Sequence, residues 1–404
     1  MYDIFEHTLR RDRSAVDARF FCPNCTDGLM TNFYSVENVP VHSNLMQQNE
    51  LDARAFPRGD IELALCDKCG FISNTAYDPV FKNYSPIYED QQSFSQTFNS
   101  FSQQLVDHLI KKHNLVDKEV IEIGCGKGDF LVQLCEQGDN HGIGIDPAII
   151  HNRVDHGDRV RFIQDYYTAK YEHLKADVYI CRHTLEHIYE THAFLQTIRR
   201  SIGKRDALVF FEVPDVIRVL KERAFWDVYY EHCSYFSPGS LARLFRRCFF
   251  KVTDLWLGYE NQYLLIEARS VDEESPDHDV LEESFAQLKN EVNDYATYVT
   301  VKQEKWKSRL AKLRHENKKI AFWGSGSKCV AFLTTLKSDQ VDCIVDINPH
   351  RHGKYIPGVG LKVSSPEMLI SFKPDVVIIM NSIYKQEINK DLCEMGLKPQ
   401  LLCL

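Results

Sequence analysis

No apolar run in this 404-residue sequence reaches membrane-spanning length, so no helical membrane span is expected. The opening residues, Met1-Tyr-Asp-Ile-Phe-Glu-His7, have neither the basic nor the apolar region of a signal peptide, and a cytoplasmic protein is expected. Long basic tracts are missing as well. With 48 Lys and Arg against 57 Asp and Glu, the net charge is −9, which disfavours a broad phosphate-neutralising face for nucleic acid. Internal repeats and low-complexity segments are also absent, which leaves no sign of a solenoid or a disordered linker.

What is present is the composition of a soluble globular protein, 44% hydrophobic and 26% charged. The chain is too long for one ordinary core, and two or three domains are expected. Thirteen cysteines in a large chain without a secretory signal should be mostly reduced and buried. Close-spaced pairs among them read as metal ligands rather than disulfides. Cys22-Pro-Asn-Cys25 and Cys66-Asp-Lys-Cys69 are two such pairs. The spacing lets two thiolates of each knuckle meet one ion, and two knuckles complete a tetrahedral shell that suits structural zinc. An iron–sulfur cluster or unligated buried cysteines are the alternatives. The 40 residues between the knuckles exceed a usual zinc-ribbon gap and predict a small β-rich insertion.

The organising stretch is Val120-Ile-Glu-Ile-Gly-Cys-Gly-Lys-Gly-Asp-Phe130. A β-branched run ends in glycines at alternate positions, Gly124, Gly126 and Gly128, and an apolar stretch of helical period follows. Strand, glycine turn and helix together form a nucleotide cradle: glycine lets the backbone approach a ligand, and the helix start offers free N–H groups. Glu122 lies two residues before the first glycine. Gly142-Ile-Gly-Ile-Asp146 reads as the next strand ending in a carboxylate suited to ribose hydroxyls, and Arg161-Phe-Ile-Gln-Asp165 offers another acid for an adenine amino group. This order resembles the class I S-adenosylmethionine methyltransferases. The resemblance implies that Glu122 holds the amino-acid end of the donor through the turn Gly124-Cys125-Gly126, with Asp146 on its ribose and Asp165 on its adenine.

Alternating strands and helices from 117 to 215 predict a doubly wound parallel sheet, whose ligands sit beyond the strands' carboxyl ends. A connector containing Tyr88 and an amphipathic helix over 95–113 precede it. His183 and His187, four apart after a predicted strand, could share a helical face; no third metal ligand is evident, and His183 is counted with the donor site. The stretch 225–237 crowds six aromatics with Glu231 and His232, a setting for a general base, or for an aromatic core with an inert histidine. Two apolar segments, 250–257 and 262–268, predict a terminal antiparallel pair, and 279–317 a charged linker helix. Lys319-Ile-Ala-Phe-Trp-Gly-Ser-Gly-Ser-Lys328 opens a smaller α/β unit. Its turn residues Ser325, Ser327 and Lys328 suit phosphate oxygens, whereas the G-x-G-x-x-G form of a dinucleotide site is missing.

The two knuckles, the glycine motif, Thr184-Leu-Glu-His187-Ile, Tyr229-Tyr-Glu-His232 with Phe236-Ser237, and Val345-Asp-Ile-Asn-Pro-His-Arg-His-Gly-Lys-Tyr-Ile-Pro-Gly358 stand in one order. That order resembles the nucleotide-sugar C-methyltransferases over nearly the whole chain. The resemblance implies a zinc-binding module at 1–83, a methyltransferase domain at 84–275, a linker helix at 276–318 and a Rossmann-like substrate-binding domain at 319–404. It implies S-adenosylmethionine and structural Zn²⁺, a nucleotide-linked 4-keto deoxysugar as partner, and neither nucleic acid nor membrane. It makes His232 the general base, with Glu231 and His187 assisting and Tyr229 and Tyr88 lining the pocket. Where the family commonly has His-Gly-Gly, this chain reads Gly258-Tyr-Glu-Asn-Gln262. Oxygen and nitrogen therefore stay open as methyl acceptors beside carbon.

Overall fold

A computed structural model describes residues 20–404 apart from Asn83, Asp277 and Asp339. The opening seven residues, and with them the signal-peptide reading, lie outside the described residues.

Three sheets organise the chain. In the first, β1 (Met30–Pro40), β2 (Arg58–Cys66) and β3 (Ile72–Asn74) run antiparallel in that order. β1 and β2 occupy the interval between the two knuckles, where the long spacing predicts a β-rich insertion. The second sheet begins with β4 (Glu119–Ile123), β5 (His141–Ile145), β6 (Val160–Ile163), β7 (Val178–Arg182) and β8 (Leu208–Pro214), all parallel. Val120, Ile121 and Ile123 are buried, as befits a central strand covered on both faces.

The next strand, β9 (Ser234–Tyr235), does not join this sheet. It pairs with β3, so the first sheet takes its last strand from deep within the methyltransferase stretch. The aromatic segment from Phe225 to Phe236 is thereby clamped between the two sheets, with Phe225, Trp226, Tyr230 and Phe236 buried. β10 (Phe250–Gly258) and β11 (Tyr263–Ser270) then form an antiparallel pair that completes a seven-stranded sheet of order β10-β11-β8-β7-β4-β5-β6. The third sheet is parallel throughout: β12 (Ile320–Trp323), β13 (Cys343–Val345), β14 (Val363–Ser364), β15 (Val376–Ile379) and β16 (Gln400–Cys403), in the order β14-β13-β12-β15-β16.

The long helix Phe285–His315 joins the second and third sheets. Ser284 and Gln287 form a capping box at its start, and its apolar stripe buries Leu288, Val292, Tyr295, Val299, Trp306, Leu310 and Leu313. Tyr295 packs edge-on against Tyr34 of β1 (centroids 5.2 Å apart), and Trp306 packs against Phe332 of the terminal unit (5.3 Å). One continuous core therefore ties the cysteine-bearing module to the terminal unit through this helix. Among the described residues no helix is long and apolar enough to cross a membrane.

Candidate active site

β4 ends at Ile123, and the chain turns at Gly124 (φ +71°), where a Cβ would lie 1.9 Å from the Thr184 hydroxyl oxygen. Only glycine lets β4 end so close to the loop after β7. The helix Asp129–Gly138 then starts from Gly128 at its N-cap. A cavity opens at this turn, walled by Glu122, Gly124, Cys125, Gly126 and Asp146 and by Tyr166. Glu122 is only 2% exposed, one of its carboxylate oxygens has no partner, and burial pushes its pKa up to about 8. Arg182 tempers this charge, but its guanidinium is already paired with Glu212 (3.1 Å) and lies over the Phe130 ring. Asp146 accepts N–H bonds from Gly126 (2.8 Å) and Ala148 (2.6 Å), and burial raises its pKa to about 6. An orphaned buried carboxylate under an open glycine turn fits a polar ligand that brings its own donors.

A second cavity of about 300 Å³ adjoins the first. It runs from His232 and Tyr229 to the turn Gly324–Lys328 of the terminal unit. Tyr88, Asp90, Gln91, Gln92, His183 and His187 line both cavities and mark their junction. The His187 Nδ1 meets the Tyr84 hydroxyl at 2.6 Å and the Glu231 carbonyl at 3.0 Å. A bond to that carbonyl, which can only accept, keeps the hydrogen on Nδ1 and leaves Nε2 as the acceptor. The His232 ring packs on Tyr229 (4.1 Å between centroids) and on His187 (4.7 Å). Burial, with His187 next, holds its pKa well below 6.5, so the imidazole is neutral. Tyr88 receives the Asn44 amide at 3.3 Å.

Several expectations need correction. His183 and His187 do not share a helix. His183 stands in a loop at φ +47°, held by Glu212 (2.6 Å) and Glu186 (3.5 Å), while His187 closes the short turn Leu185–His187. These carboxylates raise the His183 pKa to about 9 against the opposing effect of burial. Asp165 turns its carboxylate to Lys170 (2.9 Å) and the Tyr171 hydroxyl (2.6 Å), and Tyr166 and Tyr167 stand at the cavity instead. Glu231 directs its carboxylate to the Ser43 backbone N–H and hydroxyl rather than into either cavity. Ser325 is buried, donating to Asp346 at 2.6 Å. Ser327 and Lys328 do line the second cavity, but the Lys328 ammonium is committed to Asp227 (2.6 Å), which Arg218 also holds.

Sequence reasoning missed six residues here. Glu212 and Arg182 form the ion pair at the glycine-turn cavity, Glu186 keeps an unpartnered buried oxygen beside His187 and His232, and Asp90 stands at the junction. Ser43 and Asn44, from the cysteine-bearing module, reach Glu231 and Ser327. A charged residue at a predicted strand end was the available signal for Arg182 and Glu212; nothing local marks Ser43.

Cys22, Cys25, Cys66 and Cys69 gather their sulfurs within 4.8 Å of one another. The Cys22–Cys69 and Cys25–Cys66 separations are both 3.6 Å. A tetrahedron with Zn–S bonds of about 2.3 Å has edges of about 3.8 Å, so the set fits one ion. Backbone N–H groups of Gly28, Lys68 and Cys69 point at these sulfurs, as suits thiolates.

The doubly wound sheet with its antiparallel last pair, and the glycine cradle at the end of its central strand, define a class I methyltransferase, an enzyme that uses S-adenosylmethionine. The chain matches a methyltransferase domain over residues 95–255 and a C-methyltransferase C-terminal domain over 273–398. It is 25% identical over 402 residues to the C-methyltransferase NovU of Streptomyces niveus, covering 93% of each chain. Together these matches support a C-methyltransferase family. Among solved structures it is similar to 1,6-didemethyltoxoflavin-N1-methyltransferase of Burkholderia thailandensis (18% identity, 44% of this chain and 82% of that one, TM-score 0.34). It is also similar to magnesium protoporphyrin IX methyltransferase of Synechocystis (16% identity, 46% and 91%, TM-score 0.35).

Proposed function

We propose that this enzyme methylates a carbon beside the ketone of a nucleotide-linked 4-keto deoxysugar, through an enolate formed by a histidine base. The observation that carries this reading is the second cavity, which joins a neutral, desolvated His232 at one end to the glycine turn of the terminal unit at the other. Bound S-adenosylmethionine supplies an electrophilic methyl group. Glu122, the turn Gly124–Gly126 and Asp146 hold that donor, with Cys125 and His183 on the cavity wall. His232 takes the proton from the carbon beside the ketone, and the aromatic wall around it keeps water from competing. His187, its Nδ1 hydrogen engaged by the Glu231 carbonyl, keeps an unprotonated Nε2 for the departing proton. Glu231 acts by fixing Ser43 and this backbone, a supporting role. Tyr88 and Tyr229 line the sugar's end, and Ser327 with the free N–H groups of its helix meets the nucleotide's phosphates. One zinc ion on the four cysteines stabilises the module that carries Ser43 and Asn44 and takes no part in the chemistry.

Mass spectrometry after incubation with labelled methyl donor and a panel of 4-keto and 4-hydroxy nucleotide sugars tests this reading. Methylation at carbon, confined to the ketosugars, is the expected result. Methylation of the 4-hydroxy sugars alone removes the enolate and makes the enzyme an O-methyltransferase.

A further inference from the structure

Among the six residues that line both cavities, Asp90 is the one acidic side chain. Methyl transfer needs the donor's sulfonium at this junction, because its methyl must face the acceptor cavity while the rest of the donor fills the other. The strap that presents Asp90 is braced on both sides. Lys127 donates to the Tyr88 carbonyl (2.8 Å) and the Ala148 carbonyl (2.6 Å), and Arg351 binds the Glu89 carbonyl. The Glu89 carboxylate is taken by Arg153 (2.9 Å) and Asn348 (2.9 Å), which leaves Asp90 as the acid that faces inward. Among the described residues no side chain or backbone group from another residue bonds its carboxylate, and it lines both cavities. Burial raises its affinity for a proton, and the nearby Lys127 and Arg351 cations, opposed by Glu89, offset this only in part. The one cation lining the junction, the imidazolium of His183, is already held between Glu212 and Glu186. In the glycine-turn cavity Glu122 is 2% exposed with an unpartnered oxygen, and burial favours its protonated form, so it offers a sulfonium no fixed charge.

We propose that Asp90 is the counterion of the donor's sulfonium and the residue by which this enzyme tells the methylated cofactor from its demethylated product. The inference rests on assigning the glycine-turn cavity to the donor. During transfer the carbon–sulfur bond breaks, its electron pair stays on sulfur, and the methyl joins the acceptor carbon. The sulfonium thereby becomes a neutral thioether, and a fixed anion loses its partner. Asp90 therefore favours the charged donor over the product and lets the product leave.

Isothermal titration of the full-length protein with S-adenosylmethionine and with S-adenosylhomocysteine tests this. The wild type should bind the sulfonium form about tenfold or more tightly, and Asp90→Asn should abolish that preference while keeping product affinity within about twofold. The retained product affinity doubles as proof of a folded cavity, and Asp90→Glu should restore part of the preference. An unchanged ratio in Asp90→Asn, equal loss of both ligands, or a wild type that binds both alike overturns the proposal but leaves the donor site standing. Loss confined to an amine-bearing acceptor, with the donor ratio intact, also overturns it. A wild type that binds neither ligand removes the donor-site assignment as well.

Discussion

Glu122→Gln should make the ligand-free enzyme more stable and a poorer binder of its donor. Buried with one oxygen unpartnered, Glu122 keeps its proton in the fold up to about pH 8, whereas the unfolded chain releases it near 4.5. Between these values the unfolded state binds fewer protons, so stability falls as pH rises through the window. At pH 7.5 the gap is about 3 pH units, which corresponds to about 4 kcal/mol. Glutamine removes the titration but leaves an amide in the same unpaired position, at a cost of about 1–2 kcal/mol, for a net gain of about 2–3 kcal/mol. For a unit of this size that raises the melting temperature by about 5 °C or more. Differential scanning fluorimetry of both proteins without ligand, from pH 5 to pH 8.5, measures it. The two melting curves should nearly coincide at pH 5 and separate as pH rises. Added S-adenosylmethionine should lift the wild type more than the variant, because the carboxylate finds its partner only in the complex. A variant less stable than wild type at pH 8, or a gain independent of pH, would refute the reasoning.

Three further perturbations separate chemistry from architecture. His232→Ala should abolish turnover while S-adenosylmethionine binding by calorimetry stays near wild type. Because its pKa is held well below 6.5, wild-type turnover should show no loss of this base between pH 7 and pH 6, and a fall with a midpoint near 6.5 would contradict the assignment. Cys22→Ser should cost folding rather than catalysis: one zinc per chain by elemental analysis of the wild type, and insoluble or readily proteolysed variant protein, are expected, while fully active soluble variant would contradict this. Lys328→Met leaves Asp227 with Arg218 alone and should cost about 1–3 kcal/mol in urea unfolding. A loss of substrate affinity with unchanged stability would instead return Lys328 to the phosphate.

The glycine turn and the cavity at it were legible because the signal is local. Strand, glycine turn and helix lie within eleven consecutive residues, and the close approach that demands glycine at position 124 is made to Thr184, itself two residues beyond a readable strand. The paired knuckles were legible for the same reason, four sulfurs at two short spacings. What could not be read was commitment. Lys328, Ser325 and Asp165 each stand in a turn whose sequence advertises ligand binding, yet each is spent on a partner: Asp227, 101 residues away, for Lys328; Asp346, 21 away, for Ser325; and Lys170 with Tyr171 for Asp165. The reverse error concerns Asp90, which sits in an unremarkable polar connector yet lines both cavities, while its neighbour Glu89 is claimed by Arg153 and Asn348.

These commitments follow a pattern that bears on how the acceptor end is built. The Glu231 carboxylate binds Ser43, the Ser43 hydroxyl meets Ser327, and Asn44 reaches Ser327, Tyr88 and Arg351. The first sheet, the methyltransferase sheet and the terminal unit thus converge on one six-residue hydrogen-bonded knot beside the second cavity. Such a knot is satisfied only when all three parts are folded, since each buried polar group left alone costs about 1–3 kcal/mol. The cysteine cluster is remote from the chemistry, but the loop it anchors through β1 supplies two members of the knot. A cysteine cluster that lines neither cavity can therefore still decide whether the second cavity keeps its shape.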